Sequence, residues 1–183
     1  MSLVILDRDG VINLDSDAYI KSPEEWQPVT GSPEAIAALT RAEYRVVVAT
    51  NQSFIARKLF DEYTLARIHQ KMAQTLERAC SMIHGVFYCP HGPGEGCSCR
   101  KPETGLLEAI SREFDHPLEG VPLVGDSWKD VQAARRAGCV PYLVRTGKGE
   151  RTLAEVNAEE LAGVHIVADL SEAVKKILGD TPV

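Results

Sequence analysis

Short apolar runs alternate with longer stretches of helical periodicity along the chain. Six of the runs are too short for a helix but long enough for a buried strand; they lie at residues 3–6, 45–50, 85–88, 121–124, 140–144 and 164–167. Between them apolar residues recur three or four positions apart, as at Leu65, Ile68 and Met72, which indicates amphipathic helices. We predict helices near residues 32–42, 62–82, 103–114, 128–137 and 152–161, and from Ser171 onward.

This alternation of strands and helices predicts a fold class. Strands that alternate with helices form βαβ units and a parallel sheet. We therefore expect an α/β, Rossmann-like, doubly wound domain with a mainly parallel sheet and helices on both faces. The 183 residues suffice for one domain with a sizeable core, and we expect residues 1–183 to form it.

Composition and charge exclude several classes of partner. The chain is 44% hydrophobic and 25% charged, which is ordinary for a globular protein. The net charge is −6 and no basic run occurs, so we do not expect a nucleic-acid partner. No apolar run approaches the ~20 residues of a membrane span. A strand pattern at the start of the chain differs from a signal peptide, so we expect a cytoplasmic protein.

Two acidic residues follow the first predicted strand. Asp7 and Asp9 are separated by one residue, and Gly10 then permits a sharp turn. At the carboxyl edge of a parallel sheet, this is where open α/β folds bind ligands. A metal-bound carboxylate can accept a phosphoryl group and form an aspartyl-phosphate. The alternative is an ordinary strand end with solvated acids.

Other polar residues recur at predicted strand ends. Thr50 and Asn51 follow the second strand, Asp126 follows the fourth, and Lys101 precedes the helix between the third and fourth. Right-handed crossovers place such ends at one edge of the sheet. Carboxylates there would bind Mg²⁺, Thr50 and the Asn51 amide could donate to phosphoryl oxygens, and Lys101 could neutralise the transferring group. Singly each residue fits a turn, a cap or a solvated surface; together they indicate phosphoryl transfer.

Three cysteines and a histidine are crowded into residues 89–99. Cys89, His91, Cys97 and Cys99 form a ligand set that Zn²⁺ prefers in closed structural sites. The loop between them is rich in proline and glycine and offers little packing, so a metal would fold it. The alternative is a disulfide between Cys97 and Cys99 or between Cys89 and Cys97, which a reducing compartment disfavours.

The remaining cysteines and histidines receive no chemical role. Cys80 and Cys139 lie in a predicted helix and before a predicted strand, and we expect both to be buried thiols. Four histidines show no metal-ligand spacing: His69, His84, His116 and His165.

Four motifs together resemble those of the haloacid dehalogenase superfamily of phosphatases. They are Asp7-Arg-Asp-Gly-Val-Ile-Asn13, Thr50-Asn-Gln-Ser53, Cys99-Arg-Lys-Pro102 and Val124-Gly-Asp-Ser-Trp-Lys-Asp130. Within that superfamily they are more similar to the D-glycero-D-manno-heptose-1,7-bisphosphate 7-phosphatases and the related histidinol-phosphate phosphatases. The likeness covers nearly the whole chain.

The resemblance implies roles for the site residues. Asp7 is the nucleophile, and Asp9 protonates the leaving alkoxide and then activates water. Thr50 and Lys101 hold the phosphoryl group, and Mg²⁺ lies on Asp7, the backbone carbonyl of Asp9, and Asp126. The acid role needs a protonated Asp9 although free Asp has a pKa of about 3.9, so the bound phosphate has to supply that shift. Zn²⁺ in the cysteine loop is structural in these relatives.

The resemblance also implies a substrate class. The expected activity is removal of the C7 phosphate of heptose 1,7-bisphosphate, in the synthesis of nucleotide-activated heptose for lipopolysaccharide. Arg100 matches the position associated with the distal phosphate, where a guanidinium could bind in a bidentate manner, and Asn51, Gln52 and Ser53 are expected to contact substrate. The alternatives are a histidinol-phosphate or other small sugar-phosphate phosphatase, and a non-catalytic zinc-loop binding module.

Three details complete these expectations. Superfamily members often carry a cap domain between the motifs, but the intervals here leave no room for one, so we expect a capless monomer. Asp130 lies one helical turn after Asp126 and either supports the site or faces solvent. Where the family usually has glycines after Asn-Gln-Ser, this chain has Phe54 and Lys58, which puts the substrate specificity in question.

Overall fold

The molecule alternates six strands with six helices in the residues described here. The structure is a computed structural model that describes residues 1–18, 20–53 and 61–179. Its strands are β1 (Leu3–Leu6), β2 (Arg45–Asn51), β3 (Gly85–Cys89), β4 (Pro122–Gly125), β5 (Val140–Val144) and β6 (His165–Val167). Its helices are α1 (Ser32–Arg41), α2 (Glu62–Arg78), α3 (Gly105–Phe114), α4 (Trp128–Arg136), α5 (Gly149–Glu155) and α6 (Leu170–Ile177).

All six strands are parallel and form one sheet. The strand order is β3-β2-β1-β4-β5-β6. The order reverses at β1, which pairs with β2 on one side and with β4 on the other. In an open α/β sheet the crevice beyond the carboxyl ends of the strands at such a reversal is the usual ligand site. The predicted doubly wound fold is therefore confirmed.

The sheet is buried on both faces. In β1, Val4 and Leu6 face one apolar cluster, whereas Leu3 and Ile5 face another, because successive side chains of a strand point to opposite sides. The first cluster includes residues of α1, α2 and α6, and the second includes residues of α3 and α4. A strand that is apolar on both faces, as the opening run predicted, is thus held between two helical layers.

Two predicted helix ends are wrong, and each has a local cause. The helix predicted near residues 152–161 is α5, which ends earlier because Val156 adopts an extended backbone (φ −99°, ψ 133°). Helix α2 ends before residue 82, and Cys80 beyond it has a left-handed backbone (φ 57°). Cys80 is exposed, so the prediction that it is buried is also wrong, whereas Cys139 is buried as predicted.

The described residues contain no inserted cap domain. The chain between β1 and β2 forms a loop and α1, and the described part between β2 and β3 forms α2. Phe54 and Lys58 fall in residues 54–60, which lie outside the described residues. None of the helices in the described ranges has the length and apolar character needed to cross a bilayer.

Candidate active site

The carboxyl ends of β1, β2 and β4 surround a cavity of about 450 Å³. Every residue that the sequence placed in the site, apart from the cysteine loop, lines this cavity: Asp7, Asp9, Thr50, Asn51, Gln52, Ser53, Arg100, Lys101 and Asp126. They come from segments that are far apart in the chain. The sheet order brings them together, because the strands they follow are neighbours.

Lys101 is a buried cation in contact with two carboxylates. Its Nζ lies 3.2 Å from Asp7 Oδ1 and 2.5 Å from Asp130 Oδ1, and donates to the carbonyl oxygen of Ala49 at 2.7 Å. Burial alone would lower the pKa of Lys101, but Asp130 and Asp7 raise it above its ordinary value. The ammonium group therefore stays charged beside Asp7.

Three carboxylates form a cluster around this lysine. Asp7, Asp126 and Asp130 each offer an oxygen, and these oxygens all lie within 4.8 Å of one another. Burial raises the pKa of Asp7 to about 7, despite Lys101, and burial with the neighbouring carboxylates raises the pKa of Asp126 to about 8. Oxygen donors in a pocket with excess negative charge are what Mg²⁺ requires. The residues present therefore fit that metal.

Asp126 is held by a loop that the sequence did not assign to the site. The backbone N–H of Lys148 donates to Asp126 Oδ2 at 2.8 Å, and Thr146 Oγ1 donates to the carbonyl oxygen of Gly10 at 2.6 Å. A Cβ atom at Gly10 or at Gly147 would collide with Asp126 Oδ2. Both glycines also have positive φ angles, 79° and 58°, that favour glycine. The glycines that follow β5 were the only feature of the sequence that could have indicated this loop as part of the site.

Asp130 supports the site and does not face solvent. It is 1% exposed, and its Oδ2 accepts from the backbone N–H and the hydroxyl of Ser127 at 3.1 and 2.6 Å. The bond from the Ser127 backbone is part of a capping box at the start of α4. The other oxygen faces Lys101. Asp130 thereby ties the start of α4 to the lysine.

Asp9 is surrounded by hydrogen-bond donors. Its carboxylate accepts from Arg8 Nε and Nη2 at 2.9–3.0 Å, from Asn13 Nδ2 at 2.9 Å and from Gln52 Nε2 at 3.0 Å. Burial alone would raise the pKa of Asp9, but the Arg8 guanidinium and the bonds from Asn13 and Gln52 hold it below the ordinary value. Without substrate, Asp9 is thus a carboxylate. For Asp9 to act as an acid, the bound substrate has to raise its pKa.

The end of β2 and the residues that follow it organise the other groups. Thr50 is 1% exposed, and its Oγ1 accepts from Gln52 Nε2 at 2.8 Å. Asn51 forms a reciprocal pair with the backbone of Lys101, donating at 3.1 Å and accepting at 3.0 Å. The amides of Asn51 and Gln52 therefore act on their protein neighbours, while Thr50 and Ser53 border the cavity. Substrate contacts by Asn51 and Gln52 remain a prediction.

The cysteine loop brings its four predicted ligands together. Cys89, His91, Cys97 and Cys99 offer atoms that all lie within 4.8 Å of one another, with sulfur–sulfur distances of 3.1–3.6 Å. A tetrahedral zinc with metal–sulfur bonds of about 2.3 Å has edges of about 3.8 Å, somewhat longer than these distances. The convergence of three thiols and an imidazole is a donor set that fits Zn²⁺. All five cysteines are free, so neither alternative disulfide is present. Arg100 Nη1 donates to the carbonyl oxygen of His91 at 3.0 Å, which joins this loop to the cavity.

A partly buried aspartate beside a fixed lysine and an oxygen-ligand cluster is what phosphoryl transfer to a carboxylate requires. On a doubly wound sheet these groups define a phosphatase of the haloacid dehalogenase superfamily, and a family model described as HAD-hydrolase-like matches residues 98–173. A relative from Bordetella bronchiseptica, a D-glycero-beta-D-manno-heptose-1,7-bisphosphate 7-phosphatase, is 51% identical over 178 residues. The match covers 97% of this chain and 98% of the relative. The chain belongs to this family of phosphatases.

Solved structures agree with this assignment. The crystal structure of D,D-heptose 1,7-bisphosphate phosphatase from B. bronchiseptica, complexed with magnesium and phosphate, is similar with a TM-score of 0.94 at 50% identity. That match covers 99% of this chain and 100% of the other. The corresponding phosphatase from Burkholderia thailandensis gives a TM-score of 0.77 at 40% identity, over 98% and 99% of the two chains.

Proposed function

We propose that this protein is a Mg²⁺-dependent phosphomonoesterase that removes the C7 phosphate of D-glycero-D-manno-heptose 1,7-bisphosphate. Its family supports the substrate. The observation that carries the chemistry is the contact of Asp7 with Lys101 beside Asp126, at the floor of a cavity of about 450 Å³. That volume lies within the range of pockets that enclose small ligands.

In this proposal Asp7 and Asp9 divide the reaction into two displacements. An Asp7 oxygen attacks phosphorus, the bond to the sugar oxygen breaks, and the leaving alkoxide takes a proton from Asp9. Water then attacks the phosphorus of the aspartyl-phosphate and gives a proton to Asp9. The bond between phosphorus and Asp7 breaks, and its electron pair returns to the Asp7 carboxylate. Thr50 and Lys101 hold the phosphoryl oxygens throughout.

Asp7, Asp126 and the backbone carbonyl of Asp9 would hold Mg²⁺. When bound, this ion supplies positive charge next to the phosphoryl oxygens. The chain contributes the preorganisation, because Lys148 and the two glycines fix Asp126 while Asp130 fixes Lys101. The charged groups thus stand in place before the substrate arrives.

Cys89, His91, Cys97 and Cys99 would hold a structural Zn²⁺. The fold of this loop determines the position of Arg100, because the guanidinium is bonded to the backbone of His91. In the proposal Arg100 receives the distal phosphate and Ser53 borders the sugar. Asn51 contributes by holding the backbone of Lys101, and Gln52 contributes by donating a hydrogen bond to Asp9.

We also propose the setting in which the enzyme works. Residues 1–183 form a single domain, and the protein is a cytoplasmic monomer that contributes to nucleotide-activated heptose for lipopolysaccharide. The family supports the pathway, and the single six-stranded sheet supports the domain. Light scattering during gel filtration tests the monomer directly.

Substrate preference tests the proposal. The kcat/KM values for heptose 1,7-bisphosphate and for histidinol phosphate are measured in Mg²⁺, with a chelator control. A preference of about a hundredfold for the bisphosphate, about 2.7 kcal/mol of transition-state binding, is the expected result. The reverse preference would reassign the substrate and keep the chemistry. A non-catalytic module would release no phosphate from either compound.

A further inference from the structure

Arg8 is a fully buried arginine whose donors are nearly all used. It is 0% exposed although it lies between two acids at the edge of the sheet. Its Nε and Nη2 donate to Asp9 Oδ1 at 3.0 and 2.9 Å, and Nη2 also reaches Asp9 Oδ2 at 3.0 Å. A guanidinium is costly to bury unless its charge and hydrogen bonds are matched. This match is made chiefly by Asp9.

Two further side chains, Gln52 and His69, contact the Arg8 guanidinium. Gln52 Oε1 accepts from Arg8 Nη2 at 3.1 Å, while the same amide donates to Asp9 Oδ2 through Nε2 at 3.0 Å. His69 Nε2 on α2 lies 3.3 Å from Arg8 Nη1. Because a guanidinium only donates, this nitrogen is the acceptor and the imidazole proton is on Nδ1. His69 in turn packs against Tyr88, with ring centroids 6.1 Å apart.

We propose that Arg8 is a positioning residue that acts through Asp9, with Gln52 and His69 fixing its guanidinium. Arg8 is not among the residues that line the cavity, so it does not reach the substrate itself. A planar group that contacts both oxygens restrains rotation of the carboxylate. It thereby aims Asp9 at the leaving oxygen and then at the attacking water. This inference rests on the proposed role of Asp9.

A substrate with a good leaving group distinguishes a role of Arg8 in positioning Asp9 from a role in stabilising the fold alone. With p-nitrophenyl phosphate the nitrophenolate leaves without a proton, so formation of the aspartyl-phosphate does not need Asp9. Hydrolysis of that intermediate still needs Asp9 as base. A defect in Asp9 therefore lowers kcat and leaves kcat/KM, which reports only the first displacement, nearly unchanged. The covalent intermediate accumulates and appears as a burst of nitrophenol.

Arg8→Met is the variant to measure. We expect kcat to fall roughly tenfold or more and kcat/KM to stay within about threefold of the native value, with a burst near one nitrophenol per active site. With an alkyl phosphate, which needs the proton from Asp9, both constants should fall. Equal losses of kcat and kcat/KM on both substrates, with no burst, would show that Arg8 only stabilises the fold.

The matched control is Arg45→Met. Arg45 is a partly buried arginine at the opposite end of β2, and its Nη1 donates to the carbonyl oxygen of Phe114 at 3.2 Å. This change removes a guanidinium remote from the cavity, so it should produce no burst and no difference between the two substrates. Arg8→Lys keeps the charge without the two-pronged contact and should restore only part of kcat.

Two further variants keep the test decisive. If Arg8→Met does not fold, His69→Phe is measured instead, because it removes one contact to the guanidinium and keeps a ring against Tyr88. We expect a smaller loss of kcat, with kcat/KM for p-nitrophenyl phosphate again nearly unchanged. Native kinetics in this variant would overturn the inference. Asp9→Asn supplies the reference pattern. If Asp9→Asn itself shows no burst and no leaving-group dependence, the proposed role of Asp9 fails. If it shows both and Arg8→Met shows neither, only the role of Arg8 fails.

Discussion

The Nζ atom of Lys101 lies 3.2 Å from Asp7 Oδ1, although the two residues belong to distant parts of the chain. Both lie at the carboxyl edge of the sheet: Lys101 is buried at the start of the segment leading to α3, and Asp7 is partly buried directly after β1. Lys101 lowers the pKa of Asp7, although burial and the neighbouring carboxylates still raise it to about 7. The fold thus supplies a fixed cation beside the carboxylate that we propose as the nucleophile.

Replacing Asp7 with asparagine should abolish turnover and leave the protein folded. The amide cannot attack phosphorus, and its loss of charge relieves the crowding with Asp126 and Asp130. Initial rates and thermal unfolding measure the two effects. The control is Glu113→Gln, which neutralises an exposed carboxylate on α3 and should leave both unchanged. Substantial residual turnover in Asp7→Asn would remove Asp7 from the nucleophile role.

Because of His69, the free energy of unfolding should decrease as the pH is lowered. Burial and the Arg8 charge, partly countered by Asp9, lower the pKa of His69 to about 4 from 6.5. Between pH 6.5 and 4 the imidazole is protonated in the unfolded chain but still neutral in the folded protein. The free energy of unfolding therefore decreases as the pH falls from 6.5 to 4, by up to about 3 kcal/mol. Above pH 6.5 the contribution is constant.

Urea unfolding of the native protein and His69→Phe at pH 7 and pH 4.5 measures this difference. The free energy of unfolding should fall less in the variant, because the group that resists protonation is gone. Groups remote from His69 titrate equally in the two proteins and cancel in the comparison. An identical pH dependence in both would show that His69 is not held neutral by its surroundings.

Cys97→Ser should lower zinc content and thermal stability together. A hydroxyl is a poorer zinc ligand than a thiolate, and the loop has little packing to replace the metal. Elemental analysis and thermal unfolding of protein purified without chelator make the measurement. Cys80→Ser is the control, since Cys80 is an exposed thiol outside the cluster. Native protein that contains no zinc would contradict the proposed site.

Arg100→Met should weaken binding of a bisphosphate more than that of a monoester. A charged hydrogen bond contributes about 1.5–3 kcal/mol, so KM for heptose bisphosphate should rise roughly tenfold to a hundredfold. KM for p-nitrophenyl phosphate, which lacks a distal phosphate, should change little. Arg112→Met removes an exposed arginine on α3 and serves as the control. Equal changes for both substrates would place the distal phosphate elsewhere.

The sequence sufficed for the main features of the fold and for the residues at strand ends. Parallel strands joined by right-handed crossovers leave their carboxyl ends at one edge, so Asp7, Thr50 and Asp126 could be expected to converge. The cysteine loop was predictable because its ligands are close in sequence and need only a local turn. Both inferences depend on spacing rather than on long-range packing.

Features that depend on long-range packing could not be predicted. Arg8, placed between two acids, has the pattern of a solvated strand end, and its burial depends on Gln52 and on His69 in α2. Lys148 reaches Asp126 through its backbone, which no side-chain motif records. The effect of Phe54 and Lys58 on specificity stays a prediction, since both lie outside the described residues.

The most direct test of the proposed function is ³¹P NMR of heptose 1,7-bisphosphate incubated with the enzyme and Mg²⁺. The resonance of the C7 monoester should disappear, inorganic phosphate should rise by the same amount, and the C1 phosphate should remain. Excess chelator, or the Asp7→Asn variant, should stop the change. Loss of the C1 phosphate instead, or turnover that continues in Asp7→Asn with chelator present, would contradict the account.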